Sequence, residues 1–141
     1  MRKNVTMTLI SWNTLNTLNV GEIDAQHHRL IALVNELHQT MTSAQGADKL
    51  NRVLLELIEF TKLHFATEEK FMTGYAYPAY EQHKKEHEVL LGDIEQLLQR
   101  FRNGDFLIPF AIELDLESWA LRHIETHDKP LGDYLNSKGV F

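Results

Sequence analysis

Apolar residues recur along the chain at intervals of three and four, which is the period of an α-helix with one buried face. Val53, Leu54 and Leu57 show this spacing, and Leu91, Ile94 and Leu98 repeat it further along. The strict alternation typical of half-buried strands does not occur. The pattern predicts four helices, over residues 22–43, 48–73, 78–103 and 109–128.

Strong helix breakers fall between these stretches and set their limits. Gly46, Gly74 and Gly104 separate the four predicted helices. We expect Asp48 to be the N-cap of the second, and Pro78 and Pro109 to lie in the first turns of the third and fourth.

The short connections force neighbouring helices to run antiparallel, so the predicted fold is all-α, an up-down-up-down four-helix bundle. Residues 1–21 are expected to form an N-terminal arm, and residues 130–141 a short C-terminal tail after Pro130. A length of 141 residues fits a single domain over 1–141.

Charge and composition exclude several classes of protein. A formal charge of -6 argues against a nucleic-acid binder, which needs a basic surface. The absence of cysteine excludes disulfides, thiolate metal sites and a cysteine nucleophile. Neither a secretory signal nor a membrane span is recognisable, so we expect a cytoplasmic protein without membrane insertion.

The apolar face of each predicted helix also carries histidines or an acid. These inward-facing groups are His27 in the first helix, His64 and Glu68 in the second, His83 and His87 in the third, and His123 in the fourth. Antiparallel threading brings all of them to one end of the bundle. Burying them together without a cation would leave polar atoms unpaired, at about 1 to 3 kcal/mol each. The pattern therefore predicts a metal site.

The kinds of side chain limit which metal this site would hold. Imidazole and carboxylate ligands without thiolate suit Fe, Zn or Mn. Ferritin-like carboxylate centres also occur in four-helix bundles, but they use Glu-x-x-His pairs. This chain contains no Glu-x-x-His, so a histidine-rich site is favoured.

Motifs along nearly the whole chain resemble the hemerythrin family, and in particular its bacterial members. The motifs are Trp12 with Val20-Gly21 and Ile23-Asp24-Ala25-Gln26-His27, then His64-Phe65-Ala66-Thr67-Glu68-Glu69, then Tyr77-Pro78 with His83 and His87, and finally Trp119 with His123-Ile124 and Asp128.

The resemblance implies a non-haem di-iron centre that binds O2 reversibly. One iron would be held by His83, His87 and His123, and the other by His27 and His64. Glu68, Asp128 and an oxide or hydroxide would bridge the two, leaving one open position on the second iron.

By the same resemblance the protein is not an enzyme but an oxygen-binding protein for storage, transport and delivery, or sensing. Small anions such as azide would bind at the open position. A di-iron enzyme that reduces peroxide or nitric oxide is the alternative, and no particular protein partner is implied.

Asp128 is implied by the resemblance and not by helical spacing. On an ideal helix it lies about 140° from His123, whereas His127 lies on the same face as His123. Pro130 could unwind the backbone there and turn Asp128 inward. We follow the resemblance and keep His127 as an alternative.

Leu30, Phe65, Trp119, Ala120 and Ile124 are expected to wall the O2 pocket. Four of them, all but Ala120, are also interpretable as ordinary core residues, and both interpretations can hold together. Bacterial hemerythrins commonly carry leucine at the position of Ala120, so the wall here is shortened to a methyl group. The shorter side chain would leave either a cavity or a path for water.

Overall fold

The computed structural model describes residues 17–42, 46–104 and 115–141. Within these ranges the chain is helical and has no strand. The helices are α1 (Gly21–Thr42), α2 (Ala47–Gly74), α3 (Tyr80–Arg102), α4 (Leu116–His123) and α5 (Lys129–Ser137), with a π-helical turn over Ile124–Asp128 that joins α4 to α5. The α1 helix packs on α2 and α4, and α2 packs on α3, which confirms the predicted all-α bundle.

The first three helices begin and end within two residues of their predicted limits, but the predicted capping of α2 is wrong. Gly46 precedes the first residue of α2 and has φ of +91°, a conformation that side-chain-bearing residues avoid. Asp48 instead lies in the first turn, where its charge favours the positive end of the helix dipole. Pro78 lies in the turn before α3, and Pro109 falls outside the described residues.

The C-terminal residues do not form the tail that was predicted to follow Pro130. The helix continues from α4 through the π-helical turn into α5, where Pro130 is the second residue. Proline is tolerated there because a first helical turn needs no N–H from that position. The wider π-helical turn just before it relieves the clash that a proline ring makes with an α-helical carbonyl.

The α5 helix holds two other segments against the end of the bundle. A Cβ atom on Gly132 would lie 2.9 Å from Leu18, so the end of the N-terminal arm packs directly on the α5 backbone. The Leu18 amide also donates to Asp24 Oδ1 at 2.8 Å. On the other side the Tyr134 hydroxyl donates to the Tyr75 carbonyl at 2.6 Å, in the connection between α2 and α3.

The core is continuous along the bundle. Leu57, Ile94, Ile124 and Leu135 are at most 1% exposed and come from four successive parts of the chain. None of the described helices combines the length and the apolar character needed to cross a membrane.

Candidate metal centre

Seven buried polar side chains meet where the bundle is closed by α5. Each is at most 4% exposed, and together they form the polar cluster: His27, His64, Glu68, His83, His87, His123 and Asp128. The two closest sets overlap, because each contains both Glu68 and Asp128. His27 and His64 complete one set, the two-histidine side, and the other three histidines complete the three-histidine side.

Helical geometry positions most of the polar cluster. His64 and Glu68 lie four residues apart on α2, and His83 and His87 lie four apart on α3, so each pair projects from one face. His27 lies in the second turn of α1, which runs antiparallel to α2 and reaches the same level. These groups lie on the same helix faces as buried apolar residues, so the packing of the helices against one another buries them as well.

The π-helical turn places Asp128 in the polar cluster. An α-helix would turn this residue away from His123, but the i→i+5 bonding of a π-helix adds a residue to the turn. The Lys129 amide donates to the Ile124 carbonyl, five residues back. Asp128 is fully buried as a result, whereas His127 lies outside the cluster, partly exposed, with its Nε2 3.7 Å from Glu86.

All five imidazoles turn Nε2 toward the two carboxylates. The two oxygens of Glu68 face different histidines: Oε2 lies 2.9 Å from His64 Nε2, and Oε1 lies 2.8 Å from His87 Nε2. His83 Nε2 lies 3.2 Å from Oε1. Glu68 thus presents one oxygen to each side of the cluster.

Asp128 divides its oxygens in the same way. Its Oδ2 lies 2.8 Å from His27 Nε2 on the two-histidine side. Its Oδ1 lies 3.0 Å from the Nε2 atoms of both His83 and His123 on the three-histidine side. The donor atoms of each side lie within 4.8 Å of one another, close enough for one cation per side.

Outer contacts determine which nitrogen of two histidines carries the proton. His87 Nδ1 donates to Glu69 Oε2 at 2.9 Å, and His64 Nδ1 donates to Gln26 Oε1 at 2.9 Å. Gln26 is itself oriented by donating from Nε2 to Thr67 Oγ1 at 3.1 Å. Glu69 therefore contacts the polar cluster from outside, through His87. The role of Gln26 was not foreseen, since a single glutamine beside His27 has no distinguishing periodicity.

This arrangement fits a bound cation better than an internal hydrogen-bond network. In the tautomer that binds a metal, His64 and His87 keep the proton on Nδ1 and present the lone pair of Nε2 to the space beside the Glu68 oxygens. His64 Nε2, Glu68 Oε2, His123 Nε2 and Asp128 Oδ1 have no partner in hydrogen-bonding geometry within the described part of the chain. Lone pairs that converge on shared space are what a metal ion requires.

Without a cation, protons take over the neutralisation of the two carboxylates. Burial opposes the charged form of His123, but the negative charge of Asp128 outweighs it and raises the pKa to about 10. Burial also opposes the charged form of His27, but its hydrogen bond to Asp128 and the nearby charge of Glu68 outweigh this and raise the pKa to about 9. Burial also disfavours the charged form of Glu68, yet the surrounding imidazoles, first His64, hold its pKa well below the usual range.

The five residues expected to wall the O2 pocket are all buried. Phe65 stacks on the His87 ring with centroids 3.9 Å apart and planes within 6° of parallel. Trp119 donates from Nε1 to the Leu90 carbonyl at 3.1 Å, which fixes its ring between α4 and α3. Leu30, Ala120 and Ile124 are at most 4% exposed. Their burial is compatible with both interpretations of this set, pocket wall and ordinary core.

Comparison with known proteins agrees with the fold and indicates a cation-binding domain. The family model of the hemerythrin HHE cation binding domain matches residues 18–135. Bacteriohemerythrin of Stenotrophomonas maltophilia is 32% identical over 93% of this chain and 84% of its own length. That of Methylococcus capsulatus is 30% identical over 93% of this chain and its own full length.

Solved structures of a hemerythrin are similar in the same way. A variant with one leucine replaced by alanine superposes with a TM-score of 0.78 at 30% identity, covering 90% of this chain and 97% of that one. The wild-type protein gives 0.77 at 29% identity, covering 89% and 96%. With this fold, this cluster of five imidazoles and two carboxylates, and these relatives, the chain belongs to the hemerythrin family.

Proposed function

We propose that the polar cluster binds two iron ions, one on each side, and that the loaded protein binds O2 reversibly. The division of the carboxylate oxygens supports this proposal most directly. Glu68 and Asp128 each offer one oxygen to the two-histidine side and the other to the three-histidine side. A single ion would not require both carboxylates to be split between two sets of imidazoles.

Iron held by these residues would supply the redox chemistry that reversible O2 binding needs. The protein makes the two sides of the polar cluster unequal in their number of donors. The three-histidine side gathers five donors and the two-histidine side four, counting both carboxylates in each. A small ligand therefore finds its place beside His27 and His64. Anions such as azide would use the same place.

The apolar neighbours keep water away from this place. Leu30 lies on α1 and Phe65 on α2. Trp119 and Ala120 lie on α4, and Ile124 begins the π-helical turn. All five side chains are almost fully buried. None of these five side chains is an acid that could protonate a reduced ligand and help it leave, which favours reversible binding over reaction. Storage, delivery and sensing of O2 all fit this chemistry.

Reduction of peroxide or nitric oxide is a second candidate function, favoured by openings on the three-histidine side. A cleft of about 140 Å³ is lined by Trp119, His123 and the acidic Glu86 and Asp93. Another of about 280 Å³ reaches His83 beside His127. These clefts bring solvent close to two cluster imidazoles, as turnover of a polar substrate would need.

One experiment separates the two functions. Iron-loaded, reduced protein is exposed to O2 and then flushed with argon while its visible spectrum is followed, and a second sample receives hydrogen peroxide. We expect a spectrum that appears with O2 and reverses under argon over repeated cycles, with little peroxide consumed. Irreversible oxidation in the first cycle together with steady peroxide consumption would support the enzyme instead.

A further inference from the structure

Thr61 is a fully buried polar residue on the inner face of α2. It lies three residues before His64 and four before Phe65, so all three share one face of the helix. Its side chain is one turn from His64 toward the middle of the bundle. This is the inner edge of the two-histidine side, where the proposed function places a small ligand.

The Thr61 hydroxyl behaves differently from every other threonine in the described helices. In each of the others the hydroxyl donates to the carbonyl four residues earlier, at 2.6 to 3.0 Å: Thr40, Thr42, Thr67, Thr73 and Thr126. Thr61 Oγ1 has no hydrogen-bond partner within the described residues. A helical threonine has two accessible rotamers, and Thr61 adopts one that does not satisfy its hydroxyl within the helix.

This rotamer of Thr61 is unfavourable unless a group outside the helix forms a hydrogen bond with the hydroxyl. Leaving a buried donor unpaired costs about 1 to 3 kcal/mol, and valine would fill nearly the same volume without that cost. The side chains before it on this face, Leu57 and Ile58, are apolar and buried and cannot accept a hydrogen bond. An unsatisfied buried polar group in a native protein calls for an explanation, and a bound ion or water or a role in the chemistry of a nearby site are among the common ones.

We propose that the Thr61 hydroxyl donates a hydrogen bond to the outer atom of a small anion bound at the two-histidine side. The inference rests on the proposed function, since it needs the metal centre to hold that anion. Thr61 then gives an otherwise apolar pocket a single polar contact, which discriminates in favour of ligands that carry negative charge on their outer atom. It contacts the ligand and holds no metal.

Azide is the probe, and Thr61→Val is the decisive variant because it removes the hydroxyl at nearly constant volume. Oxidised, iron-loaded protein is titrated with azide. We expect the Kd for azide to rise about tenfold in Thr61→Val, which corresponds to one hydrogen bond, while iron content stays unchanged. Thr61→Ser should recover most of the affinity. Thr73→Val, whose hydroxyl bonds its own helix at an exposed site, should leave it unchanged.

A second readout does not depend on the metal. In metal-free protein Thr61→Val should melt at the same temperature as wild type or higher, since it removes an unpaired hydroxyl. Melting several degrees lower would show that the hydroxyl is already satisfied within the protein, and would overturn the inference. An unchanged azide Kd at full iron content would overturn it too. Wild-type protein that holds iron but binds no azide would contradict the proposed ligand place itself, and with it this inference.

Discussion

Asp128 and His127 are neighbours in sequence with opposite surroundings. This contrast tests which residue of the π-helical turn binds metal in the polar cluster. Asp128 is buried between the two sides of the polar cluster, and His127 lies outside it. We expect Asp128→Ala to lose at least one iron per chain, because a shared oxygen donor is removed from both sides. His127→Ala should keep two, as measured by iron analysis after anaerobic reconstitution. Iron loss in the His127 variant alone would favour the helical-spacing alternative.

Glu69 acts on the centre through His87. Its carboxylate accepts from His87 Nδ1, which fixes the tautomer and makes Nε2 a stronger donor. We expect Glu69→Ala to weaken iron binding by about 10- to 100-fold, measured by competition with a chelator. The iron affinity of Glu69→Gln should lie between those of wild type and Glu69→Ala, since an amide oxygen can accept the hydrogen bond but carries no charge. Lys70→Ala, on the exposed side of α2, serves as control and should bind iron as wild type does.

Ala120, a residue of the proposed O2 pocket, stands where bacterial hemerythrins commonly carry leucine. Its methyl group is 3% exposed and leaves less cover over the centre than leucine would. If the shorter wall admits water, the oxygenated protein should convert quickly to the ferric form, and Ala120→Leu should slow that conversion. The decay of the oxygenated spectrum at matched pH and anion concentration measures it. Equal decay in both proteins would show that Ala120 does not control access.

At the scale of the helices, the backbone of α5 at Gly132 lies in close contact with Leu18 of the N-terminal arm, at the end of the bundle that contains the polar cluster. An added Cβ on Gly132 would meet Leu18 at 2.9 Å, so Gly132→Ala should destabilise the protein by about 1 to 3 kcal/mol. Gly92→Ala is a matched control: it lies in α3 with open space around it and should stabilise by about 0.5 to 1 kcal/mol. Urea unfolding of metal-free protein distinguishes them, and a Gly132 variant as stable as wild type would mean that this contact can relax freely.

The same element shows where reasoning from the sequence reaches its limit. Apolar periodicity placed α1 to α3 within two residues, because each has a long uninterrupted apolar face. It failed after His123, because a local rule for Pro130 predicted an end where the chain instead widens into a π-helical turn. The inward turn of Asp128 depends on that widening, so only the resemblance, and not the spacing, pointed to this residue. The contacts of Gln26 depend on side chains from α2, and neither these contacts nor the unpaired hydroxyl of Thr61 has a signal in the linear sequence.

For the whole molecule, the metal-free protein should be most stable in mildly acidic solution. The pKa values of His27 and His123 are raised to about 9 and about 10, so their contribution to folding is fully present below 6.5 and is lost as the pH rises through those values. The contribution of Glu68, with its lowered pKa, is lost only as the pH falls below its ordinary value of 4.5.

The midpoint of urea unfolding should therefore fall from pH 6 to pH 10 in metal-free protein. The iron-loaded protein should not follow this trend, because metal binding requires deprotonated imidazoles and favours higher pH. A midpoint of the metal-free protein that rises over this range would show that His27 and His123 are buried neutral and that their protons do not balance the carboxylates.

The number of iron ions held by one chain tests the central claim most directly. Metal-free protein is titrated anaerobically with ferrous iron, followed by removal of loosely bound metal and measurement of iron per chain, with Glu68→Ala in parallel. The division of both carboxylates between two sets of imidazoles predicts two irons per wild-type chain and clear loss in the variant. One iron per wild-type chain, or full retention in Glu68→Ala, would contradict a centre built on shared carboxylates.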